Sequence, residues 1–439
     1  MPRSTLLHRW LLALCCGLAG TAQAQLHLPQ LPRLPSLPSV VEQPLGRTLP
    51  PALSPTDLLN QRRTLIDQLL HREPRALERD PAGEPIVRGE VLLSSPSVAL
   101  LDAAQAAGFR VLREQRLEPI GLYLVTLQAP AGLDTAGALA ALRRIEPEAA
   151  QDFNHVYLPA GQLDATPAAA TPPASAPAST AARMGLIDGG VAPDHPSLRQ
   201  ARLQVHGCGG ERIADRHGTA VASLLVGRDG RFRGALPGAA LYAADIYCGS
   251  AAHGTVEAIV EALSWMAQQQ VPVINLSVVG PPNRLLERAV GALSARGHLL
   301  VAAVGNDGPA APPLYPAAYA TRFAGVVGVT AVDARRLALL EAGQGEHVML
   351  AAPGAEVAAA DSEGRGYGAA RGTSFAAPLV AGLLAAHLAA PDPQAARRAI
   401  DVVARQAIDL GAPGRDSVYG FGLVGEDLRI DPRRVGAPR

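Results

Sequence analysis

Four short stretches of the chain carry side chains able to do acyl chemistry. In Gly372-Thr373-Ser374-Phe375-Ala376-Ala377-Pro378 a serine stands at the head of an apolar run of helical spacing that continues to Leu388. This places the hydroxyl on a tight turn at a helix N-terminus, where backbone N–H groups point outward and developing negative charge is favoured. Taken alone, the pattern reads first as a helix cap. A serine becomes a nucleophile only with a base and a group that orients the base. Asp188 directly follows the apolar stretch 184–187, in Ile187-Asp188-Gly189-Gly190. His217 opens His217-Gly218-Thr219-Ala220, ahead of a helical pattern. Asn306 follows Val301-Ala302-Ala303-Val304-Gly305 and can offer an amide N–H to an oxyanion. Each has an ordinary alternative: an Asp-Gly turn, a histidine near a helix start, and a Gly-rich turn.

The elements that must position these residues begin at residue 184. Apolar segments at 185–187, 241–246, 273–276, 299–304, 326–330 and 348–351 alternate with helical stretches at 217–226, 255–269 and 285–295. Continuous apolar strands separated by amphipathic helices predict a buried, mostly parallel sheet covered on both faces. In such folds functional side chains collect at the carboxyl ends of strands. Asp188, His217, Asn306 and Ser374 then each sit at a strand end or helix start of one α/β domain.

At 439 residues the chain has room for two domains. Its 39 basic residues, all arginine, balance 39 acidic ones, so bulk charge gives no reason to expect nucleic acid or an anionic membrane as partner. Residues 1–24 read as an export leader, with Arg3 and Arg9, an apolar run at 10–20 and small residues in Ala22-Gln23-Ala24. No later stretch has the roughly 18 unbroken apolar residues of a stable membrane span. The product is expected to be exported, to a periplasm or to the medium. Cys208 and Cys248 remain once the leader, with Cys15 and Cys16, is gone. In an oxidising compartment they can pair if their Cα atoms come within about 7 Å; the alternative is two buried thiols.

Residues 25–83 read as a proline-rich tether followed by a short surface helix at 56–71, which Asp57 suits at its start. Residues 84–158 have the order β-α-β-β-α-β, which predicts a small α+β ferredoxin-like domain without catalytic spacing. Alanine, proline, serine and threonine dominate 159–183, which reads as a linker. The α/β domain spans 184–425, and 426–439 reads as a tail.

The order Asp188, His217, Asn306, Ser374, with these local sequences, resembles the subtilisin-like serine peptidases. The resemblance runs over 184–424 and includes Asn275-Leu276-Ser277, Tyr315-Pro316, Ala352-Pro353-Gly354 and Tyr419-Gly420-Phe421-Gly422. It implies a three-layer subtilisin-like domain and hydrolysis of protein or peptide substrates through an acyl-enzyme. Ser374 would attack, His217 would carry the proton, Asp188 would orient the imidazole, and Asn306 would bind the oxyanion. Ser277, Val278 and Val279 would pair with the substrate backbone, with Gly305 lining the same cleft. No cofactor and no metal are called for.

Three departures from the family stand out. Val279 occupies a position where the family commonly has glycine, and should narrow the pocket for the residue before the cut. Ala220 stands where many members have a second histidine. The loop 227–234 has Asp229 as its sole carboxylate, too few oxygens for a calcium loop. The small domain resembles the propeptides of the family, which chaperone folding and cover the active site until cut away. The chain would then be an autoprocessed zymogen, with its own N-terminal domain as partner in cis and a cut between residues 157 and 183. The other reading of that segment is an independent binding domain. The competing function for the whole is a catalytically idle binding or scaffolding protein of the same fold; ester hydrolysis by the same chemistry is a third.

Overall fold

The computed structural model describes residues 55–164, 181–363 and 366–435. The leader-like stretch, the proline-rich stretch up to residue 54, residues 165–180 of the expected linker and the last four residues lie outside that range.

Seven strands form the central sheet of the large domain, in the order Val348–Pro353, Val326–Val332, Leu299–Ala303, Val273–Leu276, Arg183–Asp188, Ala240–Asp245, Arg202–His206. Every neighbouring pair is parallel. Six of these strands are apolar and buried, as a sheet covered on both faces requires. The seventh, Arg202–His206, is a largely exposed edge. Its alternating Leu203 and Val205 do not stand out among polar neighbours, and the sequence reading passes over it.

Side chains alternate across this sheet. Met184 and Leu186 face the helices Arg216–Val226 and Thr373–Ala385, while Ile187, Ile274 and Leu276 face Val256–Gln268 and Arg284–Ala295. Three layers follow from that alternation. The helix Pro393–Arg405 joins the first face. Asp392 caps it and proline opens it, a start signal plain in the sequence. Among the described residues no helix is long and apolar enough to cross a membrane.

The small domain has strands Pro85–Ser94, Arg110–Leu117, Leu122–Gln128 and Ala150–His155, with helices Val98–Ala106 and Thr135–Ile145. Pro85–Ser94 lies between Ala150–His155 and Leu122–Gln128, and Arg110–Leu117 takes the far edge, all antiparallel. This is the ferredoxin-like order expected from the sequence. The sheet docks on the helix face built from Val256–Gln268 and Arg284–Ala295, adding Leu92, Ile120 and Leu124 to its apolar cluster. Polar groups then satisfy the two helix starts. Asp152 accepts the Arg284 N–H at 2.8 Å. Asn154 accepts the Glu257 N–H at 3.3 Å. Arg113 grips the Glu257 carboxylate with two donors, at 2.9 and 2.6 Å. Carboxylate and amide oxygens at helix N-termini are favoured by the unpaired N–H groups there.

Three expected boundaries change. The helix Pro55–Arg72 is not a surface helix, because Leu58, Ile66 and Leu69 are buried, and Leu77–Arg79 after it pairs with the small sheet. The linker does not begin at 159: Leu158–Pro159 pairs with Val278–Val279, and Gln162–Asp164 pairs with Gly366–Arg371, both antiparallel. The stretch from 426 is not a free tail, since Leu428 and Val435 enter the main apolar cluster.

Cys208 and Cys248 are joined, with Cα atoms 5.2 Å apart and a separation of 40 positions in sequence. The bond ties the exposed edge strand to the turn after Ala240–Asp245. Cys208→Ala with Cys248→Ala should lower stability by about 2–4 kcal/mol, chiefly by freeing the unfolded chain. Urea unfolding of the oxidised parent and the double variant measures this; equal midpoints and slopes would contradict it.

Candidate active site

Asp188 ends the strand Arg183–Asp188 in the middle of the sheet and is fully buried. Its Oδ1 accepts the Gly189 N–H at 2.7 Å and the His217 Nδ1–H at 2.8 Å. His217 is the second residue of helix Arg216–Val226, which Asp215 caps through the Gly218 N–H at 2.8 Å. A Cβ at Gly218 would lie 2.1 Å from the Gly189 carbonyl oxygen. The helix therefore approaches the strand end closely enough for the Asp188–His217 bond only because residue 218 has no side chain.

Burial pushes the Asp188 carboxyl up, against the pull of His217. Burial alone would lower the His217 pKa, but the Asp188 charge, its hydrogen bond and Asp215 outweigh it, and the net shift is upward. The pair thus favours a protonated imidazole more than water does, at the position where an imidazolium would have to form. His217 Nε2 is buried and has no hydrogen-bond partner.

Ser374 lies in the first turn of helix Thr373–Ala385, after Gly372, whose φ of 130° is a glycine conformation. A Cβ at Gly372 would come within 3.0 Å of Asn306 Nδ2 and 3.4 Å of the Ala160 carbonyl oxygen. Pro378, inside the helix, has no N–H to give the Ser374 carbonyl. The Ser277 hydroxyl donates to that carbonyl instead, at 2.9 Å. The Ser374 hydroxyl donates to the Ser277 carbonyl at 3.2 Å.

Asn306 is oriented by its neighbours. Its Oδ1 accepts the Thr373 N–H at 3.0 Å, while Nδ2 is buried and unpartnered. Thr373 also accepts the Gly305 N–H at 3.2 Å through its hydroxyl. Thr373, which the sequence reading gave no role, thus locks the Asn306 loop to the Ser374 helix. An unpaired buried amide donor is costly unless a ligand oxygen takes it.

The cleft above these residues is filled by the chain itself. The Ser374 N–H donates to the Ala160 carbonyl at 3.1 Å, and the Ala160 N–H donates to the Ser277 carbonyl at 3.2 Å. Pro159 and Leu158 register with Val278 and Val279, and the Tyr157 N–H donates to the Gly254 carbonyl at 2.7 Å. Tyr157 is fully buried; its ring fills the space where a Gly280 side chain would lie, and its hydroxyl donates to the Pro281 carbonyl. Ala160 shares an apolar cluster with Val279. On the other side, Gly161 rests against Ser374, with the site of its missing Cβ 3.3 Å from Ser374 Cβ and 2.7 Å from the Phe375 ring. The peptide between Ala160 and Gly161 therefore presents its carbonyl to the Ser374 helix start, flanked by antiparallel pairing on both sides. Tyr157, Gly254 and Gly161 were not found from sequence, because only the fold brings them to the cleft.

The loop expected to lack a calcium site is a hairpin of Arg228–Asp229 and Phe232–Arg233, in which Asp229 accepts the Tyr367 hydroxyl at 2.9 Å. Among the described residues one trio, Cys208, Asp245 and Cys248, has metal-ligand spacing, and its two sulfurs are bonded to each other.

Residues 180–422, more than half the chain, match the Subtilase family. Subtilisin Savinase of Lederbergia lenta is 35% identical over 208 residues, covering 46% of this chain and 74% of that protein. Minor extracellular protease Epr of Bacillus subtilis (strain 168) is 28% identical over 247 residues, covering 55% of this chain but 37% of Epr. M-protease of Shouchella clausii (strain KSM-K16) is 35% identical over 208 residues, 53% of its length. The chain thus spans only part of the length of the last two. Among solved structures, fervidolysin from Fervidobacterium pennivorans, described as a keratinolytic enzyme related to subtilisin, superposes with a TM-score of 0.63 at 17% identity, over 80% of this chain and 62% of its own. At that identity the likeness concerns the fold.

The Asp188–His217 geometry has a direct spectroscopic consequence. In the Ser374→Ala protein the His217 ring should titrate above the ordinary value of 6.5 by NMR. Asp188→Asn should move the midpoint down, because burial then acts with less opposition. A parent midpoint below 6.5, or no change in the variant, would contradict the assignment.

Proposed function

Since the chain belongs to the subtilase family, we propose that it is an exported serine endopeptidase made as a precursor that cuts itself between Ala160 and Gly161. The observation that carries this reading is the Ala160 carbonyl held by the Ser374 N–H at 3.1 Å. A peptide carbonyl at that point is one oxyanion donor away from a complete hole, and the unpartnered Asn306 Nδ2 is the second donor.

The proposed reaction has two halves. Ser374 Oγ turns from the Ser277 carbonyl, attacks the Ala160 carbonyl carbon, and gives its proton to His217 Nε2. The carbonyl oxygen becomes an oxyanion bound by the Ser374 N–H and Asn306 Nδ2. Asp188 holds the imidazole in the tautomer with the proton on Nδ1 and stabilises the cation that forms. His217 then protonates the Gly161 nitrogen, the C–N bond breaks, and Ala160 is left as an ester on Ser374. Water, deprotonated by His217, attacks the ester carbonyl; the C–Oγ bond breaks, His217 returns the proton to Ser374 Oγ, and Ala160 leaves as a free carboxylate. Because His217 must begin neutral, the rate rises with pH through its raised midpoint.

The same segment supports a substrate preference. The residue before the cut is alanine, packed in one cluster with Val279. The residue fourth before it is Tyr157, wholly enclosed, with its hydroxyl on the Pro281 carbonyl. Substrates of the mature enzyme would be extended protein or peptide segments with a small residue before the bond and tyrosine three positions further back.

Two experiments test this. Wild-type precursor should yield a new N-terminus at Gly161, while Ser374→Ala should stay joined across that bond. Normal trimming of Ser374→Ala, or a cut elsewhere, would overturn self-cleavage at this bond. For selectivity, the peptide Tyr-Leu-Pro-Ala-Gly and its analogue with phenylalanine in place of alanine should differ by roughly 10- to 200-fold in kcat/KM, favouring alanine. Val279→Gly should narrow that ratio. Faster cleavage after phenylalanine by the wild type would sink the preference.

A further inference from the structure

Tyr247 sits in the turn that follows the strand Ala240–Asp245, and neither the triad nor the oxyanion donors account for it. It is 5% exposed, and its ring shares an apolar cluster with Tyr157. Its hydroxyl donates to the Tyr157 carbonyl at 3.1 Å. Gly254 accepts the N–H of the same residue, so both main-chain polar groups of Tyr157 are held. A Cβ at Gly254 would lie 2.2 Å from Tyr247 Cε1 and 2.8 Å from the Tyr157 carbonyl oxygen. The hydroxyl thus reaches that carbonyl only because residue 254 has no side chain. Burial, and after it the charges of Asp188, Asp215 and Asp245, push the phenol well above its ordinary value, so it remains a donor. The turn itself is braced from two sides. Asp245 accepts the N–H groups of Tyr247 and Cys248, at 2.9 and 3.0 Å. The Ile246 N–H donates to the Asp188 carbonyl at 3.0 Å, which ties the turn to the strand end at the triad. Cys248 has a φ of 47°, costly for a residue with a side chain, and its bond to Cys208 holds it there.

We propose that Tyr247 is a substrate-binding residue whose hydroxyl anchors the main-chain carbonyl of the residue fourth before the cut, and that the Cys208–Cys248 bond positions it. The inference rests on the reading above that Tyr157 to Ala160 lie as a substrate does. A carbonyl is present at that position whatever the side chain. The anchor therefore reads the length of chain ahead of the bond, while the enclosure of the Tyr157 ring reads its sequence. A tripeptide with a bare N-terminus brings no carbonyl there and leaves the hydroxyl buried without a partner. The enzyme then favours bonds with at least three residues and an acyl group ahead of them, which is the selectivity of an endopeptidase. The contact is remote from the reacting atoms, so it strengthens the bound substrate and the transition state alike. Its loss should raise KM and leave kcat.

The test compares two chromogenic substrates of the processed enzyme, acetyl-Leu-Pro-Ala p-nitroanilide and isocaproyl-Pro-Ala p-nitroanilide. The acetyl group of the first supplies the anchored carbonyl without a side chain. The second keeps the leucine side chain but lacks that carbonyl and the N–H beside it. Rates are referred to the amount of Ser374 that a fluorophosphonate labels. The parent should prefer the acetylated substrate. Tyr247→Phe should shrink that preference roughly five- to tenfold, through KM. Cys208→Ala with Cys248→Ala should shrink it in the same direction. An undiminished preference in Tyr247→Phe, with both substrates falling together, would overturn the anchor and leave Tyr247 as packing alone. An undiminished preference in the double cysteine variant would overturn the positioning by the disulfide. If the parent cleaves neither substrate, the peptidase reading fails first. The contact is then judged separately by hydrogen exchange in the Ser374→Ala chain. Tyr247→Phe should speed exchange at the Tyr157 N–H, and unchanged exchange there would count against the anchor.

Discussion

The start of the buried helix Thr373–Ala385 is the constraint on which the rest of the site depends. The first N–H groups of a helix have no partner within it, and burying them unsatisfied is costly. Here the first two find outside acceptors: Thr373 gives its N–H to Asn306, and Ser374 gives its N–H to the Ala160 carbonyl. Pro378 frees a carbonyl deeper in the same turn, and Ser277 occupies it. Two separate strand ends, those before Ser277 and Asn306, are thereby fixed around one helix end. The parallel sheet puts those ends on one side, and the helix end decides what they surround.

The proposed chemistry and the occupied cleft draw on the same two donors, the Ser374 N–H and Asn306 Nδ2. An oxyanion hole is a place where buried N–H groups await an oxygen, and the chain supplies one from residue 160. The ferredoxin-like domain aims that residue. Its last strand, Ala150–His155, caps two helices of the large domain with Asp152 and Asn154 and leads directly into Val156 and Tyr157. The Arg113–Glu257 pair and the apolar contact around Leu92, Ile120 and Leu124 hold that strand in register. A shift of one residue along the cleft would take Tyr157 out of its enclosure and put Pro159 where Ala160 stands.

Much of this was legible in the sequence because it follows from local rules. Apolar runs ended by Asp188 and by Gly305-Asn306, and a serine ahead of an apolar helix, mark strand ends and a helix start wherever they occur. The small domain was legible for the same reason, its periodicity switching between strand and helix with glycine and proline at the joints. What escaped was whatever takes its structure from a distant partner. Residues 158–164 have the composition of a linker, and become strands only because Val278–Val279 and Gly366–Arg371 offer unpaired edges. The helix at 55–72 shows its spacing in sequence, but nothing local says that its apolar face meets Gly308 and Leu158. The edge strand Arg202–His206 is exposed and carries too little apolar pattern to be seen.

The central claim is that Ser374 is a competent nucleophile in a cleft that its own chain occupies. Labelling with a fluorophosphonate probe, followed by peptide mapping of the adduct, tests it most directly. The account predicts a single adduct on Ser374, rising as the N-terminal fragment leaves. Absence of label on the processed protein, or an adduct on another residue, would contradict it.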